Sequence, residues 1–64
     1  MTLEEALSYN GRLKIVTTNS NCKIGTIKNI DYSEEHNEQM ITFVAVDDEY
    51  QFNKSEIESI DKVW

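Results

Sequence analysis

The alternation of apolar and polar residues along the chain predicts a small protein built mainly of β-strands. Leu13 and Ile15 point to one face, while Arg12, Lys14 and Val16 point to the other, which is the two-residue period of a half-buried strand. The polar turn signal "TTNSN" separates this strand from a second one around Gly25. Three further strands are predicted, at "MITFVAV" (40–46), "YQF" (50–52) and "IESIDKVW" (57–64), with an acidic turn at 47–49 and a tight turn at 53–56.

The first ten residues have the pattern of a short helix. Thr2 and Glu5 match the S/T-x-x-E capping box, in which each side chain accepts a hydrogen bond from the other residue's backbone N–H. Gly11 is placed to end the helix in a left-handed conformation. An apolar face predicts that the helix docks on the strands, and this face consists of Leu3, Ala6 and Leu7.

Gly25 lies inside the second predicted strand, "KIGTIKNID", where a glycine is unusual. Ile24, Ile27 and Ile30 are three residues apart, a spacing that strict alternation cannot place on one face of a sheet. A bulge or sharp bend is therefore expected. Glycine within a strand marks such a bend or a close approach of two backbones, so we place the bend at Gly25.

A chain of 64 residues can form only one domain, which buries roughly 60% of the surface that its unfolded chain exposes. We expect a single domain over residues 1–64, with the helix at 1–10 and a small barrel at 12–64. Apolar residues make up 39% and charged residues 28% of the chain, a composition from which we expect a folded domain.

No apolar run approaches the ~18 residues that cross a bilayer, and the N-terminus lacks the features of a signal peptide. We therefore expect a cytoplasmic protein without membrane contact.

The net charge of −6 is unevenly distributed along the sequence. The segment from Ala6 to Ile30 has no acidic residue and four basic ones, whereas the segment from Asp31 to Trp64 has ten acidic residues and two basic ones. This division indicates either that two oppositely charged surfaces face different partners, or that solvent-exposed charges are clustered by chance. The four basic residues of the first segment are Arg12, Lys14, Lys23 and Lys28.

The order of one helix and five strands, with G-x-I-x-x-I-D at residues 25–31, resembles the first motif of Sm-like proteins. The resemblance continues at residues 52–60, where Phe52 is followed by Asn53, Lys54 and an I-x-x-I pattern. Other SH3-like barrels, including the bacterial YolD-like proteins, share this skeleton. It implies a mainly β fold: a short N-terminal helix followed by a five-stranded, strongly bent Sm/SH3-like small barrel.

Two departures from the Sm pattern affect the expected function. In RNA-binding Sm proteins an asparagine four residues after the motif aspartate helps to form the nucleotide pocket, but this position is Glu35 here. The Arg-Gly pair that helps to hold the base is replaced by Asn53 and Lys54. The resemblance therefore implies the fold and not the RNA pocket.

The sequence offers no convincing catalytic or metal-binding constellation. His36 is surrounded by glutamates but has no second histidine or cysteine at ligand spacing. Residues 47–49 lack the interleaved ligands of a calcium loop, and Cys22 has no partner for a CxxC motif. The five serines have only one histidine between them and no nucleophile-turn sequence. We predict no enzymatic activity, no cofactor and no metal.

The leading functional hypothesis is a protein-interaction or regulatory module of bacterial or phage type whose acidic surface binds a basic protein. A sharper form of it is an acidic inhibitor of a nucleic-acid-binding protein. Large amphipathic rings and carboxylates would provide the contacts. The predicted partner-binding residues are Tyr32, Glu34, Glu35, Asp47, Asp48, Glu49, Tyr50 and Trp64.

Two other classes of function remain open on the sequence. Arg12, Lys14, Lys23 and Lys28 could contact phosphates of RNA or single-stranded nucleic acid while a tyrosine stacks on a base, although the net charge weighs against this. The third class is a homo-oligomer formed through edge strands, as in Sm-like rings, with residues 40–46 or the last strand as the edge.

Overall fold

The structure, a computed structural model, describes residues 1–63 as one helix packed on a five-stranded antiparallel sheet. The mainly β prediction and the helix-then-strands order are confirmed. The predicted partner residue Trp64 lies outside the described residues. The elements are α1 (Leu3–Ser8), β1 (Leu13–Thr17), β2 (Cys22–Ser33), β3 (Glu38–Ala45), β4 (Glu49–Asn53), the 3₁₀ turn η1 (Lys54–Glu56) and β5 (Ile57–Lys62).

The strand order in the sheet is β4-β3-β2-β1-β5. Among the described residues no ladder joins β4 to β5, so the sheet is not closed into a barrel. β3 pairs with β2 on one side and with β4 on the other. The expectation that residues 40–46 offer a free edge was therefore wrong, because β3 lies between two paired strands. The edge strands are β4 and β5, and β5 is the other edge that was considered.

Strand β2 contains the irregularity that the isoleucine spacing requires, but at a different residue from the one predicted. In the register with β3, Ile27 is opposite Phe43 and Asn29 is opposite Thr42, so Lys28 is the extra residue of a bulge. Because of this bulge, Ile27 is buried and Ile30 also packs against the core. Ile24, which precedes the bulge on the other face, is 38% exposed.

Gly25 serves the second role expected of a strand glycine, a close approach of two backbones. It lies between Leu13 of β1 and Ala45 of β3. A Cβ atom at this position would lie 2.0 Å from the Val44 carbonyl oxygen and 2.8 Å from the Ala45 Cα. Its φ is not positive, so space rather than dihedral freedom requires glycine here.

The core lies on one face of the sheet, under the helix. Its buried residues are Ala6, Leu13, Ile15, Ile27, Ile41, Phe43 and Ile60, and the partly buried Phe52 packs against them.

The capping box of α1 is confirmed: the Glu5 N–H donates to the Thr2 Oγ1 at 3.2 Å, and the Thr2 N–H donates to the Glu5 Oε1 at 3.0 Å. Two details of the helix prediction were wrong. Leu7 is 45% exposed, since Ala6 with Leu3 and Tyr9 makes the contact with the core instead. Gly11 does not end the helix, because the chain already becomes extended at Tyr9 and the φ of Gly11 is not positive.

The predicted tight turn at 53–56 is η1, which is held from two sides. Both the backbone N–H and the hydroxyl of Ser55 donate to the Glu38 carboxylate of β3, at 2.7 and 3.0 Å. On the other side the Thr18 N–H, just after β1, donates to the Glu56 carbonyl at 2.9 Å. The turn therefore links elements at both sides of the sheet, although β4 and β5 do not pair.

Candidate functional site

Three charged or polar side chains meet where β2 passes the β3–β4 turn. The Lys23 Nζ lies 3.7 Å from the Asp47 Oδ2 and 4.6 Å from the centroid of the Tyr50 ring. The Tyr50 hydroxyl donates to the same Asp47 oxygen at 2.7 Å. The Tyr50 ring stacks on Phe52 with centroids 6.0 Å apart, which fixes it next to the core. We call Lys23, Asp47 and Tyr50 the turn cluster.

The pKa values of the turn cluster reflect these contacts. The hydrogen bond from the Tyr50 hydroxyl, more than the nearby Lys23 ammonium, lowers the pKa of Asp47 below its ordinary value. Hydrogen bonding to Tyr50, followed by the charge of Asp47, raises the pKa of Lys23. Both shifts favour the ionised forms, so the pair is charged at neutral pH.

A second ion pair extends the same region. The Lys28 Nζ, on the bulge of β2, lies 3.3 Å from the Glu49 Oε1 at the start of β4. Asp48, between the two pairs, accepts a hydrogen bond from the Glu49 N–H at 2.8 Å. The acidic turn at 47–49 thus lies against the two lysines of the preceding basic segment.

The structure therefore brings together residues that the sequence assigned to two separate candidate sites, one for nucleic acid and one for a protein partner. Two of the four basic residues proposed for phosphate contact, Lys23 and Lys28, are paired with acids from the predicted partner-binding set. Tyr50 is half-buried within the turn cluster. These groups neutralise each other locally, so the reading of two separately charged surfaces fails at this part of the sheet.

The other predicted partner-binding residues lie together at the far end of β2, where the chain turns back into β3. Tyr32 is 60% exposed, and Glu34 and Glu35 are exposed in the turn that follows it. The Tyr32 hydroxyl donates to the Asn37 side-chain oxygen, and the His36 N–H donates to the Ser33 hydroxyl at 3.3 Å. We call Tyr32, Glu34 and Glu35 the tip surface. The two hydrogen bonds connect the end of β2 to Asn37 and His36 within the turn.

Arg12 and Lys14 lie at the opposite end of the β2–β3 hairpin from the tip surface. Arg12 lines an open groove of about 620 Å³ together with residues 10–11, Thr26 and residues 44–46. Two valines provide most of the apolar part of this mixed groove: Val44 is 39% exposed and Val46 is 82% exposed. Lys14 is exposed on the same face, one row further along β1. We call this depression the end groove.

The end groove was not predicted from the sequence, because residues 40–46 were treated as one continuous strand. The two-residue spacing that puts Val44 on the face opposite Phe43 was visible, but the end of β3 at Ala45 was not. Asn37, which holds Tyr32, was also missed. Its positive φ of 55° fits a residue type that tolerates the left-handed region in turns.

A second depression of about 380 Å³ lies between the start of α1 and β5. It is lined by residues 1–4, Gln39, Lys54 and residues 57–60, a mixture of apolar side chains and charges of both signs. Within residues 1–63, no three His, Cys, Asp or Glu side chains are grouped so as to hold a metal ion. The same residues include no helix of the length and apolar character needed to span a bilayer.

Comparisons with known proteins add no relative: no family model matches the chain, and no curated protein or solved structure does so either.

Proposed function

We propose that this chain is a non-catalytic protein-interaction module that binds a basic protein surface through its tip surface. The observation that carries the proposal is the exposure of Tyr32 next to two exposed glutamates, on a turn ordered by its own hydrogen bonds. An ordered turn loses little conformational entropy when it binds, and a tyrosine contributes a large amphipathic contact area.

Charge pairing supports a protein partner over the nucleic-acid alternative. Since Lys23 and Lys28 are engaged with Asp47 and Glu49, binding phosphates through them would require breaking two ion pairs. The net charge of −6 adds a general repulsion of polyanions. A basic partner that itself binds nucleic acid would fit the acidic surface, which is the inhibitor form of this proposal.

For the fold, we propose the bent sheet of an Sm/SH3-like small barrel, left open between β4 and β5. The bulge at Lys28 supports it, because bulges increase the bend and twist of a strand. The contacts of η1 with Glu38 and Thr18 support it as well, since they draw the two sides of the sheet together. A regulatory role in a bacterial or phage cytoplasm remains part of the same proposal.

The test is affinity capture from a lysate of the source organism with immobilised protein. Tyr32→Ala and the double variant Glu34→Lys/Glu35→Lys are expected to lose a captured protein that wild type retains. Asp61→Lys is the matched control, because Asp61 is exposed on β5 opposite Lys14, at the end of the sheet away from the tip. A partner retained equally by the tip variants and lost with Asp61→Lys would place the binding surface elsewhere and refute the proposal.

A further inference from the structure

We propose that Asn10 is a site of spontaneous covalent modification, at which the chain deamidates and rearranges its own backbone. Asn10 and Gly11 belong to the link between α1 and β1, outside every helix and strand. An asparagine followed by glycine reacts most readily, because glycine has no Cβ to shield its N–H and its backbone reaches conformations closed to other residues. This property goes beyond the proposed function and does not depend on it.

The link is fixed at both ends and unconstrained in the middle. On the helix side the Tyr9 N–H donates to a carbonyl of the last turn of α1 at 3.3 Å, and on the sheet side the Arg12 carbonyl accepts from the Val63 N–H at 2.9 Å. Between them, within residues 1–63, neither the Asn10 side chain nor the Gly11 N–H makes a hydrogen bond. Asn10 is exposed and both residues border the open end groove, so water reaches the link.

The reaction needs only these two residues and water. The Gly11 backbone nitrogen bonds to the side-chain carbonyl carbon of Asn10, the bond from this carbon to Nδ2 breaks, and the Gly11 amide proton leaves with that nitrogen as ammonia. Water then opens the resulting succinimide ring at one of its two carbon–nitrogen bonds. Opening on the side-chain side gives aspartate, and opening on the main-chain side gives isoaspartate, in which the backbone runs through the Cβ atom of residue 10.

Asn19 shows how the fold protects an asparagine that also precedes a small residue, Ser20. The side-chain oxygen of Asn19 accepts a hydrogen bond from the Thr17 hydroxyl, and the Ser20 N–H donates to the Thr17 carbonyl at 3.0 Å. Both reacting groups are thus engaged, so this turn must open before a ring can close. The four remaining asparagines are each followed by a residue with a larger side chain; they are Asn21, Asn29, Asn37 and Asn53.

Either product changes the link that positions α1. Each adds one negative charge at residue 10, and isoaspartate also lengthens the main chain by one carbon atom before β1 begins at Leu13. The helix contributes Ala6, which is 1% exposed, to the core, and Leu3 and Tyr9 pack against it. Because a domain of this size has little buried surface to lose, we expect the isoaspartyl form to melt at a lower temperature than the unmodified protein.

The experiment is incubation of the purified full chain at neutral pH and physiological temperature over several weeks, followed by tryptic digestion and mass spectrometry. Cleavage after Arg12 gives a peptide of residues 1–12 whose single asparagine is Asn10, and cleavage after Lys14 and Lys23 gives residues 15–23, which contain Asn19. A sample digested before incubation corrects for deamidation during digestion. The first peptide is expected to exchange ammonia for water, and to split into chromatographically separate isoaspartyl and aspartyl forms, at least tenfold faster than the second.

Ser20→Gly is the matched variant, because it gives Asn19 the same following residue as Asn10. The φ of 69° at residue 20 suits glycine, so the bonds to Thr17 stay in place. In the folded variant Asn19 should still deamidate at least tenfold more slowly than Asn10, whereas in concentrated urea the two rates should become equal. Gly11→Ala should slow the reaction at Asn10 at least tenfold without changing the circular dichroism spectrum.

Three results would overturn the inference. The first is an Asn10 that keeps its amide through the incubation of the folded protein but loses it in urea, since the link would then be protected. The second is an equal rate at Asn10 and Asn19 in folded Ser20→Gly, because the hydrogen bonds of the turn would then give no protection. The third is an isoaspartyl fraction that melts at the same temperature as the unmodified protein, which would show that the link does not position α1.

Discussion

Gly25→Ala is the most direct test of the packing between β2 and β3. The added methyl group would lie 2.0 Å from the Val44 carbonyl oxygen and 2.8 Å from the Ala45 Cα, both backbone atoms that no rotamer change can move. To restore ordinary contact the two strands would have to part by about 1.5 Å, which weakens their ladder where Gly25 is opposite Ala45.

The expected loss is large for so small a domain. Overpacking typically costs about 1–3 kcal/mol, and contact with rigid backbone places Gly25→Ala at the upper end of that range or above it. A domain of 64 residues has a free energy of unfolding of roughly 3–10 kcal/mol. Since 1 kcal/mol shifts the melting temperature of a small domain by about 4–8 °C, we expect a decrease of about 10–20 °C.

Thermal and urea denaturation followed by circular dichroism measure this loss. Gly11→Ala is the matched control, because the φ of Gly11 is also not positive, and it should change the free energy of unfolding by less than about 1 kcal/mol. A Gly25→Ala protein that melts within about 3 °C of wild type would refute the close approach of β2 and β3 at this residue.

Three further predictions concern the helix cap, the bulge and nucleic acid. Thr2→Ala should cost about 1 kcal/mol, because the Glu5 N–H loses the Thr2 hydroxyl that accepts its hydrogen bond; thermal denaturation would show this. The Thr2 N–H donates to the Glu5 carboxylate and lowers the pKa of Glu5, so the contribution of this bond should be present above the ordinary pKa of glutamate and be lost as pH falls through the lowered value; acid titration of Glu5→Gln should show a smaller loss of stability than wild type. Deleting Lys28 should be tolerated, because Ile27 and Ile30 would then follow the regular two-residue alternation on the core face. Deleting Thr26 should unfold the domain, because it shifts that alternation; equal melting temperatures of the two deletion variants would contradict the bulge at Lys28. Fluorescence anisotropy should detect no binding of single-stranded RNA or DNA at tens of micromolar protein in about 0.1 M salt; saturable binding weakened by charge reversal at Arg12 and Lys14 would restore the nucleic-acid hypothesis.

Much of the fold could be predicted because local patterns determine it. The capping box of Thr2 and Glu5 is a contact between residues three apart, and the isoleucine spacing in β2 shows that a bulge is needed without showing where. Its position at Lys28 depends on the pairing with β3, which no local pattern encodes. Leu7 has the helical spacing of a core residue but is exposed, since the helix ends after Ser8 and Tyr9 takes the place next to the core.

The candidate site was less predictable, because its charges meet across the fold. Lys23 and Asp47 are far apart in sequence, and they touch only because the β3–β4 turn lies next to the first residues of β2. The basic and acidic segments of the sequence therefore contain residues that pair with each other in the fold, as Lys28 and Glu49 also do. Tyr32, Glu34 and Glu35 could be grouped from sequence because they lie within four consecutive residues, whereas the end groove combines residues from three segments.

The pairing of β1 with β5 has a consequence for the order in which the domain assembles. The β1–β2, β2–β3 and β3–β4 pairs are hairpins with short turns, but joining Thr17 to Ile57 closes a loop of about 40 residues, whose entropic cost must be met before the contact becomes favourable. We therefore expect the four-stranded β1–β2–β3–β4 meander to form first and β5 to dock late. In hydrogen exchange, the amides of β5 should open more readily than those of β3, and the core around Ile15 and Ile60 should be the first part to become accessible.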